Sequence, residues 1–151
     1  MLQSFEGLLD LYWDQKKFNS VEEIARKFLD AKGGKEVEEA KPFILEKLVQ
    51  AKAKQGDTDE ALKMAEGLVN LDKGGWYFLQ LKGWVQREAG KLDDAIGTYT
   101  EVIEKLDAST TLKDEMKTRL KKNVKYLLSG LYVDNNEIDK SAEKLQELIK
   151  E

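Results

Sequence analysis

The sequence contains no cysteine and no histidine among its 151 residues. Disulfides, thiolate zinc sites, cysteine nucleophiles, and histidine bases or metal ligands are therefore excluded. Only one proline is present, while lysine, glutamate, leucine and alanine are frequent. This composition is typical of long α-helices.

Long apolar runs and an excess of positive charge are also missing. No stretch approaches the length that spans a membrane. Residues 1–11 carry Glu6 and Asp10 but no basic residue, unlike a secretory signal. The net charge of -4 gives no general attraction to nucleic acid or to anionic membranes. We therefore expect a cytoplasmic protein without a membrane partner.

The residues that are present suit a soluble helical protein. Apolar residues make up 41% of the chain and charged residues 36%, a balance that argues against disorder. A chain of this length buries a sizeable core, and no linker or low-complexity tract divides it. We predict a single helical domain over residues 1–151.

A six-residue pattern recurs 34 positions apart. Gly56 to Ala61 and Gly90 to Ala95 share the glycine, the acidic pair and the alanine in register. A period of about 34 residues is typical of a helix-turn-helix unit in a repeat protein. The rest of the chain is therefore interpreted as stacked helix pairs.

Eight helices in four pairs follow from apolar spacing and from turn residues. The seventh has no helix breaker before Gly130 or Asp134, so we predict roughly 24 residues for it, more than for the others. The predicted helices run from about Gln3 to Lys17, Ser20 to Gly33, Pro42 to Gln55, Asp57 to Gly74, Trp76 to Ala89, Asp93 to Leu106, Thr111 to Asp134, and Ile138 to Lys150.

Local signals predict how several of these helices begin and end. Ser20 followed by Glu23 indicates a capping box. Pro42 suits a first-turn position, where no backbone donor is lost. Whether residues 36–41 extend that helix upstream is left open. We expect Asn136 to cap the eighth helix and Gly74 with Gly75 to close the fourth.

The repeat resembles the tetratricopeptide family. The stretch that carries the resemblance best runs from Gly83 to Val102, and it includes Gly90, Leu92, Asp93, Asp94, Ala95 and Tyr99. Similar spacing recurs near the carboxyl end in Ser129, Tyr132, Asn136, Ile138, Ser141, Leu145 and Leu148. A weaker copy near the amino end comprises Phe18, Asn19, Val21, Ile24, Phe28 and Ala31.

The resemblance implies an all-α solenoid of about four antiparallel helix pairs that forms a right-handed superhelix. It departs from the family pattern in three ways. Ile24 and Ala61 are 37 residues apart, three more than the repeat. Ala95 and Ser141 are 46 residues apart, twelve more than the repeat, and we expect the long seventh helix to accommodate the excess. Lys82 and Gln86 occupy positions where the family has large apolar residues, so we expect a rotated fifth helix with Phe78, Leu81 and Val85 on its core face.

The resemblance also implies a concave groove that is lined by the first helix of each pair and binds a peptide or a helix of another protein. Carried over residue by residue, it predicts these groove residues: Phe43, Glu46, Gln50, Tyr77, Gln80, Trp84, Arg87, Asn123 and Tyr126. Trp84 with Arg87 is an attractive anchor pair. The alternative is that Trp76, Tyr77 and Trp84 fill the gap between helices.

One binding mode of the family is disfavoured. Some members hold a C-terminal carboxylate with lysines and asparagines on the inner face. The corresponding positions here are Glu46, Gln50, Gln80 and Trp84, which lack those donors. We therefore do not expect carboxylate-tail recognition of that type.

A basic stripe lies on the predicted seventh helix, where Lys113, Lys117, Lys121 and Lys125 follow at four-residue steps. Such a stripe suits an acidic partner or a phosphate backbone. It equally suits a solvated helix face opposite the apolar stripe, and acidic residues dilute it. Nucleic-acid binding is therefore the weaker alternative.

Neither a metal, a cofactor nor an enzymatic reaction is indicated. The acidic clusters at residues 57–60 and 134–139 lack the glycine and the bidentate glutamate of a calcium loop, and both suit helix caps and first turns. Phosphate-binding glycine motifs and a nucleophile elbow are absent from the sequence.

We therefore predict a non-catalytic scaffold that binds another protein. The alternative is a structural or self-associating segment of a larger repeat array. The eighth helix bears on this alternative because Ile138, Ala142, Leu145 and Ile149 form one apolar face. If that face is buried, the helix serves as its own polar cap.

Overall fold

The computed structural model describes residues 2–72 and 75–150, excluding the side chain of residue 2, and this part of the chain forms eight α-helices. This confirms the all-α repeat prediction. The helices are α1 (Leu2–Asp14), α2 (Phe18–Asp30), α3 (Lys35–Lys54), α4 (Thr58–Leu71), α5 (Tyr77–Glu88), α6 (Leu92–Ala108), α7 (Asp114–Asp134) and α8 (Ile138–Lys150).

The third helix differs most from its prediction. It begins at Lys35, so residues 36–41 are helical and Pro42 lies inside the helix rather than in its first turn. Proline cannot donate the usual backbone hydrogen bond there. The helix continues through Pro42 because Val37 and Ala40, upstream of it, are buried in a hydrophobic cluster. The seventh helix was predicted to be longer than all the others. In the structure α3 has 20 residues and α7 has 21, so the two are nearly equal in length.

Two further boundary predictions were wrong or lie outside the described residues. The Ser20 capping box does not form, because α2 already begins at Phe18 and its cap position, Lys17, makes no side-chain cap hydrogen bond. Glu23 instead pairs with Lys27 one turn further on. The fourth helix ends at Leu71, and Gly74 lies outside the described residues.

Four turns between paired helices share one backbone geometry. Each contains a residue with positive φ, namely Lys16 (56°), Gly56 (89°), Gly90 (73°) or Asn136 (58°). In each turn that residue and the next donate backbone hydrogen bonds to carbonyls three and five residues upstream, at 2.7–3.1 Å. This is the arrangement of the Schellman motif, in which a left-handed residue ends a helix. We call these four residues the turn residues. Because Asn136 is the left-handed residue that ends α7, the prediction that it caps α8 was wrong; the residue before Ile138 is Glu137.

The turn residues correct the alignment of the first helix pair. Counting from the turn, Val21 is equivalent to Ala61, Ala95 and Ser141, and all four are buried. The sequence alignment that paired Ile24 with Ala61 was therefore displaced by three residues. The error arises at Lys16, because a lysine in the sequence does not indicate a left-handed turn as a glycine does.

The chain divides into two compact units, the first ending at Leu68 and the second beginning at Val69. In the first unit α2 packs against α1 and α3. Its core comprises Leu9, Val21, Ala25, Phe28, Val37, Ala40, Ile44, Leu48 and Ala51. Edge contacts between aromatic rings, such as Phe5 with Phe28 at 5.1 Å, add to this core.

In the second unit α6 packs against α5 and α7, and α7 packs against α8. Its core comprises Leu79, Ala95, Tyr99, Val102, Leu106, Val124, Leu128, Leu131 and Tyr132. Phe78, Leu81 and Val85 of α5 are buried, as the predicted core face requires, but the positions of Phe78 and Val85 are also buried in α3 and α7, so their burial does not show a rotated helix. Gln86 is buried as well, and its side-chain oxygen is the one buried side-chain polar atom without a hydrogen-bond partner in residues 2–72 and 75–150.

Candidate functional site

The nine predicted groove residues occupy four equivalent positions, counted back from the turn residue of each helix pair. Phe43, Tyr77 and Asn123 lie thirteen residues before it, and Glu46, Gln80 and Tyr126 lie ten before it. Gln50 and Trp84 lie six before it, and Arg87 lies three before it. Spacings of three and four residues place each set on one side of its helix.

All nine residues retain solvent exposure. Phe43 is 55% exposed, Tyr77 42% and Tyr126 68%, while Arg87 and Asn123 are also exposed and the other four are intermediate. Large apolar side chains that remain this accessible are unusual as core residues. Trp84 is partly buried, so its side chain is neither fully enclosed nor fully accessible to a ligand.

In the first unit one of the three predicted residues, Phe43, lines a cleft between α1 and α3, whereas Glu46 and Gln50 are not among its lining residues. The cleft has a volume of about 240 Å³ and is lined by Glu6, Leu9, Asp10, Phe43, Ile44 and Lys47. Leu9 and Ile44 are buried and form its apolar floor. Phe43 therefore lies beside an apolar depression with charged groups at its rim.

Sequence reasoning missed Glu6 and Asp10 as cleft residues. They lie ten and six residues before Lys16, so they are the α1 equivalents of Glu46 and Gln50. The turn at Lys16 carries no glycine, and for that reason the repeat register of α1 could not be counted from the sequence. The left-handed backbone at Lys16 is the signal that places them.

Lys47 contributes the positive charge of this cleft. Its Nζ lies 3.4 Å from Oδ1 of Asp10 and 5.8 Å from the centroid of the Trp13 ring. A cation above an aromatic face is stabilised by the ring quadrupole. Two carboxylates and one ammonium group leave the rim net acidic, which favours a ligand that brings a basic group beside an apolar one.

In the second unit α5 presents Tyr77, Gln80, Trp84 and Arg87 at the equivalent positions. Tyr77 takes part in edge contacts with both neighbouring rings, Trp76 at 5.8 Å and Phe78 at 5.2 Å. These contacts fix the ring of Tyr77 while it stays exposed. A fixed, exposed aromatic ring loses little conformational entropy when a partner binds it.

The basic stripe of α7 is largely used inside the second unit. Lys117 Nζ donates to the backbone oxygens of Asp107 and Ser109 at 3.3 and 2.9 Å. Lys121 Nζ lies 2.6 Å from the carboxylate of Asp107, and Lys125 lies 3.5 Å from that of Glu147. Three of the four stripe lysines therefore compensate groups at the end of α6 and on α8.

The acidic residues near the second turn surround a lysine. Lys52 Nζ lies 3.1 Å from Glu22, 3.4 Å from Asp57 and 3.2 Å from Glu60. Burial acts to raise the pKa of Glu22, but hydrogen bonds from Arg26 and Lys52 outweigh it and hold that pKa below its ordinary value. The network therefore holds α2 against the α3–α4 turn with its carboxylates ionised.

Two other kinds of site are absent from the described part of the chain. Residues 2–72 and 75–150 contain no group of three or more acidic, cysteine or histidine side chains placed to hold a metal ion. In the same residues, no helix combines the length and the apolar character needed to cross a membrane.

Paired helices joined by equivalent turns define a helical repeat protein whose repeating unit is a pair of helices. A family model for the tetratricopeptide repeat matches residues 78–107, which cover most of the α5–α6 pair. This match confirms the resemblance predicted from the sequence and indicates a protein–protein interaction module. Such repeats are typically non-catalytic. No curated protein matches the chain.

Proposed function

We propose that the chain is a non-catalytic scaffold that binds a peptide or helix of another protein. Each unit offers its own part of the proposed surface: the side of α1 and α3 that carries the equivalent positions in the first unit, and that of α5 and α7 in the second. The observation that supports this most directly is the exposure of large rings at those positions, with Phe43 and Tyr126 more than half accessible. Exposed rings in a repeat module suit partner recognition.

The α1–α3 cleft gives the first unit a defined ligand chemistry. Its apolar floor, the Phe43 ring and the acidic rim of Glu6 and Asp10 fit a ligand segment with an apolar side chain next to lysine or arginine. In the second unit Trp84 and Arg87 offer a ring and a planar cation instead, which suit aromatic and acidic ligand groups. The two units therefore prefer different ligand chemistry.

Nucleic acid is the less favoured ligand. The α7 lysines that suggested it lie against Asp107, Ser109 and Glu147. Binding a phosphate backbone through them costs the contacts that they make within the second unit.

The proposal is tested by selecting ligands from a random peptide library on the wild-type protein, then measuring their affinity calorimetrically. Phe43→Ala tests the first unit, and a Trp84→Ala, Arg87→Ala double variant tests the second. Lys63→Ala and Glu104→Ala are matched controls, because these exposed residues lie on the second helices of their pairs. Circular dichroism confirms that every variant is folded.

We expect one of the groove variants to weaken binding about tenfold or more, since truncation of a hot-spot residue costs about 2 kcal/mol. The controls should leave affinity unchanged. If both groove variants bind as tightly as wild type, or if the library yields no ligand at millimolar sensitivity, recognition through this surface is wrong.

A further inference from the structure

The apolar face of α8 is exposed, contrary to the expectation that this helix caps itself. Ile138 is 67% exposed, Leu145 42% and Ile149 85%, and Ala142 is exposed as well. Ser141 is the buried residue of the helix. The helix therefore packs on α7 through the neighbouring strip and leaves its most apolar strip in solvent.

The equivalent strip is covered in the other second helices. These positions lie two, six, nine and thirteen residues after the turn residue. In α6 they are Leu92, Ile96, Tyr99 and Ile103, all within or packed against the core that α6 shares with α7. In α2 they are Phe18, Glu22, Ala25 and Leu29; three belong to or pack against the core shared with α3, and Glu22 pairs with Lys52 of α3.

A matching strip is exposed on α1. Positions twelve, eight and five residues before the turn residue are Ile44, Leu48 and Ala51 in α3, and Val124, Leu128 and Leu131 in α7. All six are buried in the cores that α3 and α7 share with the preceding helix. In α1 the same positions are Ser4, Leu8 and Leu11, and Leu8 is 38% and Leu11 50% exposed.

The structure therefore presents both halves of one helix–helix interface, separately and uncovered. The α8 strip is the half that α2 and α6 supply, and the α1 strip is the half that α3 and α7 supply. We propose that α8 of one copy of this chain packs against α1 of a second copy, and so repeats the α2–α3 and α6–α7 packing between molecules.

The charges of α1 favour this pairing over one between two α1 helices. Its described residues carry Glu6, Asp10 and Asp14 and no basic residue, so two α1 helices repel each other. The α8 helix carries as many lysines as acidic residues, namely Lys140, Lys144 and Lys150 against Asp139, Glu143 and Glu147, so its net charge is zero and it does not repel the acidic helix. The contact is heterologous, so each copy offers one half of the interface to one neighbour and the other half to another, and assembly ends where a ring closes.

Two variants separate the halves of the interface. Leu8→Glu with Leu11→Glu blocks the α1 strip, and Leu145→Glu with Ile149→Glu blocks the α8 strip. Gln3→Glu and Gln146→Glu place a charge on the same helices outside both strips and serve as controls. Circular dichroism and thermal unfolding establish that the variants fold, since all four target residues are exposed.

Sedimentation equilibrium over micromolar to millimolar concentrations gives the test. We expect wild type and both controls to self-associate as concentration rises, and each blocked variant to need about a hundredfold higher concentration, since two buried leucine-sized side chains are lost. Mixed together, the two blocked variants should form a 1:1 complex, because each retains the half that the other lacks.

Three results overturn the proposal. The first is a wild-type protein that stays monomeric throughout the concentration range. The second is an α1-blocked variant that dimerises alone, which indicates that α8 pairs with α8. The third is a pair of blocked variants that do not combine although both are folded. None of these results depends on the peptide ligand proposed above.

Discussion

The backbone of Gly83 in α5 lies directly against the ring of Tyr99 in α6. A β-carbon at Gly83 would stand 3.0 Å from Cε2 and 3.1 Å from Cζ of that ring. Tyr99 is only 3% exposed and belongs to the core of the second unit. Glycine at this position therefore allows the two helices to approach closely around a large ring.

Gly83→Ala is expected to lower the free energy of unfolding by about 1–2 kcal/mol, because the buried ring must shift to admit the methyl group. Gly97→Ala is the matched control in α6, where an added β-carbon meets nothing within 4 Å. It should raise stability by about 0.5–1 kcal/mol through helix propensity. Urea unfolding measures both, and equal effects of the two substitutions would contradict the packing argument.

Tyr99 also predicts an alkaline transition. Burial raises its pKa to about 12, although the nearby charge of Arg87 acts in the opposite direction. The ordinary value is 10.0, so folded protein is unaffected below pH 10 and loses stability as the pH rises to about 12. The difference between the two pKa values corresponds to about 3 kcal/mol.

The Tyr99→Phe variant isolates this contribution, because other groups titrate in the same range. We expect wild type to lose more stability than the variant between pH 10 and 12 in chemical unfolding experiments. Parallel pH curves for the two proteins would show that Tyr99 ionises without penalty in the folded state.

The carboxylates around Lys52 predict a stability loss that depends on pH. Lys52→Met should lower the free energy of unfolding by about 1–2 kcal/mol at neutral pH, because Glu22, Asp57 and Glu60 then repel one another. The folded pKa of Glu22 lies below its ordinary 4.5, so its contribution is complete above pH 4.5 and is lost as the pH falls through the folded value.

The difference between wild type and Lys52→Met should therefore narrow near pH 3. Lys63→Met in α4 removes an exposed lysine and should change stability little at either pH. A Lys52→Met deficit that is the same at neutral and acidic pH would indicate a packing effect of the lysine stem instead of its charge.

Substitutions at the four turn residues should change the free energy of unfolding in opposite directions: introducing glycine should raise it, and removing glycine should lower it. Lys16→Gly should stabilise by about 0.5–1 kcal/mol, since a left-handed lysine is strained. Asn136→Gly should gain less, because asparagine tolerates that backbone. Gly56→Ala and Gly90→Ala should each cost about 1 kcal/mol for the same reason. Thermal unfolding of the four variants checks the order, and a destabilised Lys16→Gly would be inconsistent with it.

The sequence predicted those parts of the fold that depend on local signals. The bounds of α8 follow from the Asn136 turn and match from Ile138 to Lys150, and the glycine turns set the register of α5 and α6. The repeat positions of α1 could not be predicted, because nothing in the sequence around Lys16 indicates its left-handed conformation. The start of α3 was predicted too late, at Pro42. The burial of the residues upstream of Pro42 stabilises the helix by more than the missing backbone N–H of the proline costs.

The proposed binding surface could be predicted from the sequence only as a set of positions. Counting from glycine gave the α3 and α5 residues, whereas Glu6 and Asp10 required the backbone at Lys16. The fate of the α7 lysines depended on Asp107 and Glu147, which lie on other helices. Contacts between two helices cannot be predicted from the spacing of residues within either helix alone.

The two long helices, α3 and α7, gain their extra residues on the side away from the turns. In α5 the position thirteen before the turn residue is the first helical residue, Tyr77, whereas α3 starts at Lys35, upstream of Phe43, and α7 starts at Asp114, upstream of Asn123. Insertions and deletions at the start of these amino-terminal extensions would therefore change the length of a repeat while leaving the side chains of the proposed binding surface in register with the turn residue.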